Sequence, residues 1–121
     1  MKKQRLKLLV VSFTVIILLP VTANLMMTEG DLPSEETALA IRKDVIAFSR
    51  SNSEKLITDH FNCLSSRKYP DGVTLIFRRK YSEDYGYYFA YPESLANTLP
   101  KDILPYTKKI TEDLYFYYNP G

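Results

Sequence analysis

The sequence predicts an α+β protein: an N-terminal signal or anchor helix, then one or two helices packed on a small antiparallel β-meander, with a short C-terminal helix and a closing strand. Three observations predict it. Apolar residues recur at helical spacing across residues 38–64, and alternate at strand spacing across 73–91. The chain has 121 residues, one domain's worth. Helices first and strands after is the order of an α+β rather than an α/β domain.

The N-terminal element is read from its charge and length. Lys2, Lys3, Arg5 and Lys7 form a basic head, and Leu8 to Leu19 is apolar apart from Ser12 and Thr14. Pro20 and then Val21-Thr22-Ala23 follow, the pattern of a secretory signal with cleavage after Ala23. Apolar character resumes at Leu25-Met26-Met27, so Leu8–Met27 approaches the roughly 20 residues of a membrane span. The segment 1–27 is therefore expected to be a signal peptide or a single transmembrane anchor. Either way the basic head stays in the cytoplasm and the rest crosses the plasma (inner) membrane. The remainder is expected on its extracytoplasmic face, or in the periplasm or secreted if cleaved.

Charge is recounted for the exported part. Of 16 basic residues four lie in the head, which leaves 12 against 14 acidic residues. The basic balance of the whole chain belongs to the targeting segment, and nucleic acid is not an expected partner.

Residues 28–37 are expected to be a linker running into a helix start, followed by a small extracytoplasmic domain over 38–121. Ser34 or Asp31 can cap the helix, and Glu35 and Glu36 suit the positive end of its dipole. Ala38, Ile41, Val45 and Phe48 share one helical face; Leu56, Ile57, Phe61 and Leu64 continue the pattern beyond Ser51-Asn52-Ser53. Ser53 followed by Glu54 caps a second helix, or one bent helix runs through.

Tyr69-Pro70-Asp71-Gly72 is a turn, because Pro fixes φ and Gly accepts unusual backbone angles. Segment 64–70 offers a strand before it. Val73 to Tyr81 alternates, with Val73, Leu75 and Phe77 on one face and Thr74, Ile76, Arg78 and Lys80 on the other. Residues 82–86 read as a loop and Tyr87–Tyr91 as the next strand. Setting Tyr81 against Tyr87 pairs Phe77 with Tyr91, Arg79 with Phe89 and Lys80 with Tyr88, matching apolar faces. Pro105 and the i+4 series Tyr106, Ile110, Leu114 predict a short helix over 105–112, and Leu114–Tyr118 a closing strand. The helix-then-sheet order resembles cystatin-like architecture at the level of fold alone and implies no activity.

The candidate binding residues are Arg78, Lys80 and Tyr88. Two cations beside an aromatic ring on an outward face is a composition found at interface centres. The expected function is that of a small cell-envelope domain acting by protein–protein interaction without catalysis, its partner another envelope protein. The membrane is a further contact through residues 8–27 if they are retained. No catalytic set, metal-ligand spacing or cofactor motif is expected: four Gly are too scattered for a phosphate loop, and one Cys with one His is short of a zinc site. Two alternatives stand beside this. His60 and Cys63, three apart on a helix, offer a thiol-dependent enzyme. The ten Tyr, all between positions 69 and 118, offer a small-molecule or glycan site.

Overall fold

The computed structural model describes residues 28–94 and 99–121. The expected signal or anchor segment falls on residues 1–27 and lies outside the described residues. Among those described, no helix is long and apolar enough to cross a membrane.

Over the described residues the protein is a small α+β fold, with two helices and a six-stranded antiparallel sheet. Strand β1 is Thr28–Glu29. Helix α1 spans Glu35–Ser51 and α2 spans Glu54–His60. Strands β2 (Ser65–Tyr69), β3 (Gly72–Lys80), β4 (Glu83–Ala90), β5 (Thr107–Thr111) and β6 (Leu114–Asn119) complete the sheet. Of the stretch expected as a linker, Thr28 and Glu29 pair with β3 and Glu35 already belongs to α1.

Both helices start at serine caps. The Thr37 N–H donates to Ser34 Oγ at 3.2 Å, and Leu56 N–H to Ser53 Oγ at 3.4 Å. Asn52, between Ser51 and Ser53, has extended backbone, so the chain breaks into two helices there rather than bending.

Three hairpins close on two-residue turns, at Pro70-Asp71, Tyr81-Ser82 and Glu112-Asp113. The second corrects the expected pairing. Residues 83–86 are strand, not loop, and the chain reverses at Tyr81, which takes the left-handed conformation with φ 57°. Leu75 therefore faces Tyr87 and Thr74 faces Tyr88, while Lys80 faces Glu83. Matching apolar faces fixes which parity points inward; it does not fix where along the strand the turn falls.

The ladder slips by one residue between Ile76 and Arg78, a β-bulge at Phe77. Before it, Val73 and Leu75 pack against the helices with Tyr87 and Phe89, as the alternation predicts. Beyond it, the inserted residue reverses the expected faces. Arg78 lies opposite Tyr85, its guanidinium 6.0 Å from that ring's centroid. Arg79 instead pairs with Asp84, Nε to Oδ1 2.7 Å.

The sheet runs β1–β3–β4–β6–β5, with β2 on the same edge of β3 as β1. This departs from a plain meander. Strands β4 and β5 both pair antiparallel with β6, so they run in the same direction. The chain after Ala90 must therefore return along the sheet before β5 can begin. It does so on the face away from the helices, where Ile103 is buried against Ile76, Tyr88 and Tyr117. The expected helix over 105–112 is replaced by a single 3-10 turn at Leu104–Tyr106 followed by β5. Thr107 and Thr111 are β-branched, and Glu112-Asp113 supply a turn that lets β6 pair back on β5. Tertiary pairing thus overrides the i+4 signal.

The main core joins Ala38, Val45 and Ile46 of α1 and Ile57 of α2 to the inward faces of β3, β4 and β6. Tyr87 crosses this layer, and its hydroxyl donates to the Pro33 carbonyl at 2.6 Å. Arg42 of α1 reaches Asp113 in the last turn at 3.1 Å.

Two substitutions test this packing. Ile41 packs on the core, so Ile41→Asp is expected to lower stability by more than about 2 kcal/mol, because an unpaired charge enters an apolar layer. At Gly86 a Cβ would overlap the Leu75 carbonyl oxygen beside the bulge. Gly86→Ala should therefore cost about 1–3 kcal/mol through strand displacement. Denaturant midpoints measure both, and a wild-type midpoint for either variant contradicts the packing described.

Candidate binding groove

The structure separates the three residues singled out from the sequence. Tyr88 is only 1% exposed and sits between Thr74 and Tyr115 on neighbouring strands. Lys80 lies five residues up the sheet from Tyr88's rung, about 17 Å at strand rise. Arg78, half-buried, is carried to the other face by the bulge. The outward patch of two cations and a ring is thus not assembled, because its premise was a pairing of Lys80 with Tyr88.

The tyrosine does support a different site. On the face away from the helices a groove of about 490 Å³ lies between β2 and the returning connection. Tyr69, the last residue of β2, stacks on Tyr88 with centroids 6.1 Å apart, so the buried ring backs the half-buried one. Asp102 forms the opposite wall. Its carboxylate accepts from the Tyr69 hydroxyl at 3.3 Å and lies 3.4 Å from the Arg67 guanidinium. Arg67 in turn covers the Tyr69 ring at 5.2 Å. Thr74 belongs to the lining; it is 4% exposed, and its Oγ1 has no hydrogen-bond partner. Among the described residues Ile76 and Ile103 are the aliphatic members of the lining.

The electrostatics follow from burial. Tyr69 is pushed up to about 12, first by desolvation and then by the Asp102 charge, so its hydroxyl remains a donor throughout the physiological range. Burial also raises Tyr88. On the other side of the sheet Tyr85 is raised to about 12 by its hydrogen bond to Glu83.

Sequence reasoning missed Arg67, Thr74 and Asp102. Tyr69 and Asp102 are 33 residues apart, and only the return of the chain across the sheet brings them together. Tyr69 stood in the predicted turn, but no spacing rule links it to Asp102.

His60 and Cys63 are each engaged with other groups. The imidazole stacks on Phe48, with centroids 4.0 Å apart. The Cys63 thiol is directed at backbone carbonyls, 3.4 Å from Ser65 O and 3.8 Å from Thr58 O. Burial pushes its pKa above the ordinary thiol value, the opposite of what a nucleophile needs. Among the described residues no three His, Cys, Asp or Glu side chains gather to hold a metal.

The raised thiol gives a signed expectation. A folded-state pKa above the unfolded one means less thiolate in the fold at any pH near the titration. Cys63 in the native protein should alkylate more slowly at mildly alkaline pH than in the denatured chain. Faster native labelling, followed by mass spectrometry, would restore the thiol enzyme as a candidate. No family model, curated protein or solved structure matches the chain.

Proposed function

We propose that this chain is a non-catalytic binding domain of the cell envelope, displayed outside the cytoplasm by its first 27 residues, and that it takes a polar segment of another envelope protein into the groove between β2 and the returning connection. The observation that carries this reading is the composition of the groove. Its walls are an Arg–Asp–Tyr cluster over a lining rich in hydroxyl groups, with two aliphatic side chains among the described residues. Small-molecule pockets are lined mainly by apolar groups, whereas Tyr and Arg are enriched where proteins meet. The raised Cys63 thiol and the stacked His60 speak against catalysis by that pair.

A second reading has one observation in its favour. The volume of about 490 Å³ lies within the range of small-ligand sites, and a hydroxyl-rich lining beside a tyrosine ring suits a polyol or glycan.

Site-specific photo-crosslinking of the full chain in its native envelope tests the first reading. A photoreactive residue at Arg67 is expected to give a discrete protein adduct, and the same probe at the exposed Lys43 of α1 none. Tyr69→Ala should weaken that adduct by the equivalent of about 2 kcal/mol. Asp102→Ala is a second variant, expected to weaken the same adduct, that leaves the Tyr69–Tyr88 stack in place. Equal adducts from both probe positions, or none from Arg67, would overturn the proposal. A bound small molecule released on denaturation would then favour the second reading.

A further inference from the structure

The chain enters the folded domain at one end of the sheet. Thr28 opens β1, directly after the apolar stretch 8–27, and pairs with Lys80 at the last rung of β3. No residue intervenes between Met27 and the ladder, and one residue spans at most about 3.6 Å. Whatever surface holds Met27 therefore lies against this end of the domain.

Exposed apolar side chains gather at the same end. Four large apolar residues are exposed among the described residues: Leu56, Tyr81, Leu104 and Tyr106. Tyr81 stands at the tip of the β3–β4 hairpin, next to Lys80, and is 46% exposed. Leu104 (53%) and Tyr106 (37%) lie on the 3-10 turn that delivers the chain to Thr107. Thr107 pairs with Tyr117, which pairs with Gly86, three residues from Glu83 at the hairpin tip, or about 10 Å along the strand. Because β5 runs away from this end, the turn preceding it lies toward the tip. Tyr81 thus stands at the end where the chain enters, and Leu104 and Tyr106 lie within about three rungs of it, near Tyr117. Leu56 is the exception. It follows Glu54, which accepts from the Lys68 N–H beside Val73, toward the opposite end of β3.

Both carboxylates of the hairpin tip are engaged, while Glu29 of β1 is exposed. Asp84 is paired with Arg79, and Glu83 accepts the Tyr85 hydroxyl at 2.6 Å. Tyrosine suits the membrane–water interface, where its ring enters the headgroup layer and its hydroxyl stays wet.

From this we infer that the entry end of the domain is a membrane-contacting surface, in which Tyr81, Leu104 and Tyr106 seat in the headgroup layer of the bilayer that holds residues 8–27. The inference rests on reading those residues as a retained anchor. It goes further in fixing the orientation of the domain: strands of the sheet stand up from the bilayer on the hairpin tip and the 3-10 turn.

The chain contains no tryptophan, so single Trp substitutions report without background. The full chain is reconstituted in phosphatidylcholine–phosphatidylglycerol vesicles whose acyl chains are brominated near the headgroup. Tyr81→Trp and Tyr106→Trp are expected to lose about half of their emission or more relative to unbrominated vesicles, while Leu56→Trp keeps its emission. Leu104→Trp serves as a further reporter should either tyrosine variant fail to melt cooperatively. Quenching of Leu56→Trp equal to that of Tyr81→Trp, or no quenching of the entry-end reporters while the protein resists carbonate extraction, would overturn the orientation and leave the anchor intact. Release of the wild-type chain by carbonate would overturn the anchor, and the contact surface with it.

Discussion

Strands β3 and β4 bear apolar side chains on both faces, and most of the architecture follows from the need to cover both. Val73, Leu75, Tyr87 and Phe89 point one way; Ile76 and Tyr88 point the other, and all are buried. Two capped helices cover the first face. Among the described residues no helix covers the second, and Leu99 and Ile103 of the connection between β4 and β5 pack on it instead. That crossing is possible because β4 and β5 run in the same direction, which leaves β6 to be inserted between them. The same crossing sets Asp102 opposite Tyr69. The groove is therefore a by-product of covering the second face with a loop, whose polar side chains and punctuating prolines close it less completely than a helix would.

Much of the fold was legible because short-range physics determines it. Helix starts at Ser34 and Ser53, the Pro-Asp-Gly turn and the inward parity of Val73, Leu75 and Phe77 all depend on residues within a few positions of each other. Three features escaped. The pairing of β3 with β4 depends on where a two-residue turn falls, and Tyr81 in a left-handed conformation is a turn residue that composition does not advertise. The bulge at Phe77 inverts the faces of Arg78 and Arg79, and nothing in an alternating pattern marks an inserted residue. The strand at 107–111 was hidden by an i+4 coincidence of Tyr106, Ile110 and Leu114. The candidate site depended on all of these. Tyr88 read as outward-facing because Thr74, Arg78 and Lys80 share its parity, yet the second face there is covered.

The sheet's edges are treated unequally, and this bears on which surface is open to partners. Along β2 the Lys68 N–H donates to the Glu54 carboxylate at 2.7 Å, and the Ser66 hydroxyl donates to the Glu54 carbonyl at 2.7 Å. Helix α2 thus occupies hydrogen-bonding groups that a new strand would need. At the other edge β5 has only five residues and exposes Lys108 and Lys109, a charged, short edge of the kind that resists strand addition. Edge pairing is accordingly a poor route to association for this domain, and recognition falls to side chains on the faces. On the helix side the core is packed under α1 and α2. On the opposite side the returning connection leaves the groove.

The two proposed surfaces make different demands and meet at β6, where Tyr117 lines the groove and packs on Tyr106. A membrane-facing end must present apolar groups and keep its carboxylates paired, and the hairpin tip does both through Tyr81, Arg79–Asp84 and Tyr85–Glu83. A protein-binding groove must offer directional polar groups that do not collapse on one another. Arg67, Asp102 and Tyr69 meet this through one long hydrogen bond, Tyr69 to Asp102 at 3.3 Å, and one exposed ion pair, Arg67 to Asp102 at 3.4 Å, which an incoming donor or acceptor can exchange at small cost. Tyr69 pairs with Gly72, at the end of β3 opposite Lys80. With the hairpin tip on the bilayer, Tyr69 stands toward the far end of the sheet, and Asp102, two residues before Leu104, lies between it and the lipid-facing turn. On this proposal a partner would reach the groove from the Tyr69 end of the sheet, the end away from the lipid, and the turn at 104–106 would couple the two surfaces.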